Sequence, residues 1–319
     1  MTTTTNQSNM KALAMRRLLT ISILLILAII APLFVSSHWV YELTGVMIFA
    51  IAALGLNLIT GYTGAISLGH NAFFALGAYV SVLSLIYLDL GYISSTIVGA
   101  LVCFIVGVLV GIPAQRLRGL YLVLVTLILA MTVTPVSKFF RAYTGGSAGL
   151  LVDQPFPPEW FSLGPDAWLY YIALIVLLII YTITWNLVGG STARVLAGVR
   201  ENELAASSMG VNIHFYKVLF FALGSALAGI GGALQAFMIG FIGPDSFELT
   251  LSIGFLAAVV VGGLGTISGA LIAGFFLQFV PAFASDISQA LSGAVYGGIL
   301  ILCMFLMPRG LAGSLRRFL

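Results

Sequence analysis

Residues 191–217 read STARVLAGVRENELAASSMGVNIHFYK, and how this stretch is placed decides how the rest of the chain is read. Arg194, Arg200, Glu201, Glu203, His214 and Lys217 crowd into it, although only 7% of the whole chain is charged. Strongly apolar blocks lie on both sides. Within this polar island, residues 203–209 read as one short exposed helix stopped by Gly210. So short a helix does not stand alone in water, because nucleation costs more than its few hydrogen bonds return. It needs a surface to rest on.

Working outward, the flanking blocks set the class. The 319 residues are 61% hydrophobic, with a mean hydropathy of +1.14. Soluble chains hold about 45–50% apolar and about 25% charged residues. Apolar runs recur at 18–35, 40–60, 67–88, 93–112, 120–136, 168–187, 215–239, 251–261, 270–283 and 290–307. Most are long enough for a hydrocarbon core of about 30 Å. A membrane β-barrel would show alternating segments of about ten residues instead. The expected fold is therefore an all-α polytopic membrane protein with 8–10 transmembrane helices. The run 251–261 is too short to cross alone and 270–283 is marginal, which leaves half-helices open. A signal peptide ending at the small residues Val35 and Ser37 competes with the first span.

Charge placement gives an orientation. With the N-terminus inside and ten crossings, Lys11, Arg16, Arg17, Arg116, Arg118, Arg194, Arg200, Lys217, Arg309, Arg316 and Arg317 fall on the cytoplasmic side, 11 of the 13 basic residues. Eight of the ten acids fall outside: Glu42, Asp89, Asp153, Glu159, Asp166, Asp245, Glu248 and Asp286. Both termini are expected in the cytoplasm, and only an even number of crossings, eight or ten, preserves the pattern. This divides the chain into a cytoplasmic tail (1–17), a transmembrane region (18–307) and a second cytoplasmic tail (308–319). The island forms a cytoplasmic loop (189–214), and an outer loop (137–167) holds Pro155, Pro157, Pro158 and Trp160. That loop reads either as a hydrophilic connector or as a cover for the outer mouth that docks an external partner.

Glycine supplies the punctuation. Gly107/Gly111, Gly265/Gly269 and Gly293/Gly297 have small-xxx-small spacing, read as close helix packing inside one subunit. The stretches 61–67 (GYTGAIS) and 262–268 (GGLGTIS) share the pattern G-x-x-G-x-I-S, and each interrupts an apolar run. Internal repeats and broken helices mark transport paths, although a chain with 36 glycines also produces such matches by chance.

Enzyme constellations are missing from the sequence. No lysine follows a glycine, so there is no P-loop, and His38, His70 and His214 sit on separate segments. Cys103 and Cys303 lie in apolar runs and read as small core residues. Neither a metal site nor a nucleic-acid surface is expected. The polar residues near or within the spans, Asn57, Ser67, His70, Asn71, Gln235 and Gln278, are candidates to line a path for a neutral or zwitterionic solute. Each amide serves equally as an interhelical hydrogen bond.

Four stretches then resemble one family. Residues 55–79 (GLNLITGYTGAISLGHNAFFALGAY), 144–150 (TGGSAGL), the block 200–269 with RENELAASSMG, GPDSF and VVVGGLGTISG, and the ending 307–313 (MPRGLAG) are similar to branched-chain amino acid ABC transporter permeases. The resemblance implies an inner-membrane subunit of an importer for branched-chain or other small amino acids. Urea and short-chain amide permeases are the alternative, with a stand-alone secondary carrier further off. It also implies a second permease subunit, two cytoplasmic ATPases and an extracytoplasmic solute-binding protein. No cofactor would be bound by this chain, and ATP would be used by the partner subunits. The island would hold the coupling helix, with Arg200, Glu201, Glu203, Leu204, Ala205, Ala206, Met209 and Gly210 at the ATPase contact. The glutamate of the usual E-A-A-x-x-x-G frame stands one place early, at Glu203.

Overall fold

The computed structural model describes residue 22 and residues 25–117, 119–159, 161, 163–287, 291–306 and 310–313. The tail 1–17, Arg118, Trp160, Arg309, Arg316 and Arg317 lie outside them. The helices are α1 (Leu25–Phe34), α2 (Ser37–Leu56), α3 (His70–Leu88), α4 (Tyr92–Ala114), α5 (Leu120–Phe139), α6 (Arg141–Thr144), α7 (Pro165–Leu187), α8 (Gly190–Glu201), α9 (Glu203–Ser208), α10 (Ile213–Ile239), α11 (Leu249–Gly262), α12 (Ile267–Ile287) and α13 (Ser292–Leu306). Two short strands, β1 (Leu150–Leu151) and β2 (Phe241–Ile242), pair antiparallel.

Among the described residues, eight helical stretches are long and apolar enough to cross a bilayer, and α1 and α13 are shorter apolar helices. The chain is an all-α polytopic membrane protein. α2 runs on into a π-helical turn, Asn57–Tyr62, making a continuous stretch of 26 residues. α11 has 14 residues, about 21 Å at 1.5 Å per residue. It reaches spanning length only with the 3-10 turn Pro244–Phe247 before it. The run 270–283, marginal by hydropathy, lies within a 21-residue helix. Ser268, Gly269 and Ser285 interrupt the apolar run without interrupting the helix.

α10 is the hub, packed against α2, α3 and α4, while α12 and α7 close on α2, α5 rests on α3, and α11 and α13 rest on α12. Backbones approach closely where glycines face each other. A methyl on Gly77 of α3 would lie 2.2 Å from the Gly229 Cα of α10, so no side chain fits there. In lipid, such van der Waals contact replaces the hydrophobic drive of a soluble core. Cys103 is fully buried in this seam, and Cys303 is half-buried.

The small-xxx-small pairs divide. Gly107 meets Ser225 of α10, and Gly269 meets the Gly262 carbonyl. Gly293 and Gly297 have open space where a side chain would stand. The expectation of close packing inside one subunit fails for that last pair, because no described residue outside α13 comes within 4 Å of where their side chains would stand.

Within the loop 137–167, residues 150–154 are held against the end of α10 and the strand that follows it. Leu150 pairs with Ile242 and Leu151 with Phe241. The Val152 amide donates to the Gly240 carbonyl at 3.0 Å, and Gln154 Nε2 donates to the Met238 carbonyl at 2.9 Å. The end of TGGSAGL thereby meets the residues just before GPDSF, far away in sequence, at one end of the bundle.

Candidate functional site

The opposite end, where the island sits, brings the two glycine breaks together. Gly64 and Gly265 hold the same place in the shared G-x-x-G-x-I-S pattern, and both are left-handed, at φ +77° and +73°. Each break ends one helix and leads to the next. A methyl on Gly61 would lie 2.4 Å from the Gly265 nitrogen, so the backbones nearly touch.

Asn57 clips them together. Its Oδ1 accepts from the Gly265 amide at 2.8 Å, and its Nδ2 donates to the Thr266 carbonyl at 2.7 Å. An amide offers one acceptor and one donor side by side, as a peptide group does. The side chain is fully buried and opens the π-helical turn, a distortion that frequently marks functional sites.

Arg200 reaches the same place from α8. Its Nη1 donates to the Gly61 carbonyl at 2.7 Å. Gly61 lies in the last helical turn before the break, where carbonyls lose intrahelical partners and a cation is favoured. Arg200 lies alongside Gly64, and a methyl on Gly265 would lie 2.8 Å from its Nη1. The side chain expected at an ATPase contact thus reaches inward to the breaks.

The island folds as two helices rather than one. α8 was missed, although Leu196 and Val199, three residues apart, share its buried face. Leu196 packs with Leu58, Val188 and Phe220. α9 follows after Asn202, whose Oδ1 accepts from the Ala205 amide at 3.1 Å as an N-cap. Lys217 Nζ pairs with Glu203 Oε1 at 2.5 Å, fixing α9 to α10. Gly210, at φ +82°, turns the chain just after it. The open side of α9 shows Leu204, 71% exposed, and Met209, 85% exposed. Ala205 and Glu201 are exposed as well. Ala206 is buried, facing α8 beside Gly198.

A sequence profile described as "Branched-chain amino acid transport system / permease component" matches residues 39–304. The chain is 31% identical over 313 residues to the high-affinity branched-chain amino acid transport system permease protein LivM of Escherichia coli (strain K12), covering 90% of this chain and 73% of that one. LivM of Salmonella typhimurium matches at the same identity and coverage. LivH of Escherichia coli (strain K12) is 27% identical over 287 residues, covering 83% of this chain and 91% of its own. No solved structure matches the chain.

The chain belongs to this permease family.

In this permease the candidate path residues separate into two groups. Asn57, Ser67, His70 and Asn71 gather around the first break and are fully buried. Ser67 Oγ accepts from the Gly69 amide at 3.3 Å. His70 Nε2 lies 2.7 Å from the Ala52 carbonyl; since a carbonyl only accepts, Nε2 carries the proton. Asn71 Nδ2 donates to the carbonyls of Phe247 at 2.7 Å and Glu248 at 3.0 Å, tying the start of α3 to the start of α11. Gln235 stands near the C-terminal end of α10 and Gln278 midway along α12. Gln278 Nε2 donates to Glu42 Oε2 at 2.9 Å.

The sequence reading missed a cleft of about 390 Å³ between α11, α12 and α13, with largely apolar walls and polar groups at its rim. Asp245, Glu248, Thr250, Ser285 and Tyr296 supply its polar rim. The signal was present in GPDSFELT, a hydrophilic dip between two apolar runs with carboxylates three residues apart. Gly254 keeps the cleft open, since a methyl there would sit 3.1 Å from the Tyr296 hydroxyl. The open glycine Gly293 of α13 borders the same cleft.

Proposed function

We propose that this chain is a permease subunit of an ATP-driven importer in the inner membrane, moving branched-chain or other small amino acids. It works beside a second permease subunit, two cytoplasmic ATPases and an extracytoplasmic solute-binding protein. ATP is bound and used by the ATPases, and this chain has no ATPase site of its own. The reading rests on one observation above the rest: α9 offers Leu204 and Met209 to solvent while Ala206, Asn202 and the Lys217–Glu203 pair hold its back. A short helix held rigidly with two bare apolar anchors suits docking in a groove of another protein, where a few buried anchors dominate the binding energy. α9 is then the coupling helix, both termini are cytoplasmic, and Asp245 and Glu248 face outward. The second permease packs on the open glycine face of α13. Solute passes beside it along the cleft, where the carboxylates attract the ammonium group of an amino acid.

Leu204→Asp places a charge on the docking face without touching the packing behind it. Membrane insertion is expected to stay at the wild-type level while co-purification of the ATPase subunits falls at least about tenfold, as for loss of a hot-spot anchor. Unchanged co-purification removes α9 as the docking element. Uptake by the reconstituted complex from a panel of radiolabelled amino acids, urea and short amides, with and without ATP, identifies the solute and its energy source.

A further inference from the structure

We propose that Arg200 is the positioning residue that carries displacement of α9 to the two glycine breaks. The inference rests on the reading of α9 as the coupling helix and adds the route by which its movement enters the spans.

The geometry supplies three links. Arg200 lies on α8, separated from α9 by Glu201 and Asn202, and Ala206 of α9 packs against α8 beside Gly198. The Asn202 amide also donates back to the Gly198 carbonyl at 3.0 Å. The two helices therefore move as one bent lever. At the inner end of that lever, one side chain touches both breaks: it donates to the Gly61 carbonyl at 2.7 Å, lies against Gly64, and brings Nη1 to 2.8 Å from where a methyl on Gly265 would stand. Behind it, Asn57 joins the two breaks to each other. A shift of α8 by the length of a hydrogen bond either drags the Gly61 carbonyl along or releases it. Both glycine breaks lead into spanning helices, α3 and α12, so that shift is passed to both halves of the bundle.

A plain surface role does not account for this arrangement. An arginine serving only the ATPase surface would point its guanidinium away from the bundle. Here the charged end is spent on a backbone carbonyl, in a charge-assisted bond roughly twice as strong as a neutral one. Glycine at position 265 keeps that approach free.

The test uses the complete importer reconstituted with its ATPases and binding protein, carrying Arg200→Ala. ATPase co-purification and basal ATP hydrolysis are expected at the wild-type level. Stimulation of hydrolysis by the loaded binding protein is expected to vanish, and uptake to fall about tenfold, the factor for one lost charge-assisted hydrogen bond. Arg200→Lys, which keeps a donor but not the planar fork, should recover part of both. Should Arg200→Ala insert poorly, Arg200→Gln keeps the stem beside Gly64 without the cation and is judged on the same readouts. Wild-type uptake together with wild-type stimulation overturns the proposal. Loss of ATPase co-purification also overturns it, because Arg200 would then be a docking residue. Failure of the coupling-helix reading is seen separately, in unchanged co-purification of Leu204→Asp.

Discussion

The two glycine breaks share a pattern and a left-handed glycine, yet they are held in different ways. The first, residues 63–69, is braced from many directions. Thr60 Oγ1 donates to the Ala65 carbonyl at 3.1 Å, the Leu68 amide donates to Thr126 Oγ1 of α5 at 3.0 Å, and Arg200 grips the Gly61 carbonyl. The second, residues 263–266, takes its long-range bonds from outside itself: Asn57 belongs to the first break and reaches across. Within itself it holds one bond, from Thr266 Oγ1 to the Gly263 carbonyl at 2.7 Å, and Gly310 stands so close that a methyl there would lie 2.5 Å from the Gly263 Cα. Repetition supplies two similar breaks, and the side chains make one a fixed frame and the other a guest.

That asymmetry is broken most severely at Asn57. Asn57→Leu removes both clips and leaves the Gly265 amide and Thr266 carbonyl unpaired, at a cost of roughly 2–4 kcal/mol. The thermal midpoint of the purified permease should fall, and uptake with it. If Asn57 instead only lines the solute path, uptake falls while the thermal midpoint stays, and the frame-and-guest distinction fails.

The next largest effect compares the two left-handed glycines directly. Gly64→Ala meets Arg200 Cγ at an ordinary 3.4 Å and so costs only the left-handed penalty, about 1–2 kcal/mol. Gly265→Ala carries that same penalty and also strikes Arg200 Nη1 at 2.8 Å, so it should be the more destabilising. Combining it with Arg200→Ala should lower its cost toward that of Gly64→Ala without reaching it, because the Gly61 carbonyl also stands 3.1 Å from the added methyl. Strict additivity in that double-mutant cycle would mean that Arg200 and the second break do not touch.

Much of this was legible in the sequence, and the rest was hidden for identifiable reasons. Hydropathy found the spans because lipid demands long apolar helices with their backbone groups satisfied internally. The polar island stood out by composition alone. α8 was overlooked because five charged or polar residues dilute a face of only Leu196 and Val199, although their spacing was visible. Ala206 could not be assigned a side without knowing that α8 lies behind it. The clip between Asn57 and Gly265 joins residues at opposite ends of the chain, and no local pattern encodes such a contact. The matching glycine motifs were the one sequence trace of that meeting, and chance explained them equally well until both proved left-handed. The cleft escaped because its rim is drawn from three separate helices, only one of them marked by the hydrophilic dip.

The smallest effect is also the finest test of the comparison. Both motifs end in serine, Ser67 in the first and Ser268 in the second. Ser67 is buried, and its hydroxyl takes the Gly69 amide, a donor at the start of α3 that has no carbonyl one turn back to bond. Ser268 is exposed. At 3.3 Å the Ser67 bond is long, so Ser67→Ala should cost about 0.5–1 kcal/mol, while Ser268→Ala should stay within about 0.5 kcal/mol of wild type. Thermal unfolding of the two single variants in the same detergent reads the difference. Equal shifts would mean that the second break is braced as firmly as the first, by contacts of its own. An unequal pair keeps the first break as the frame, because a serine shared by both motifs then does structural work in only one of them.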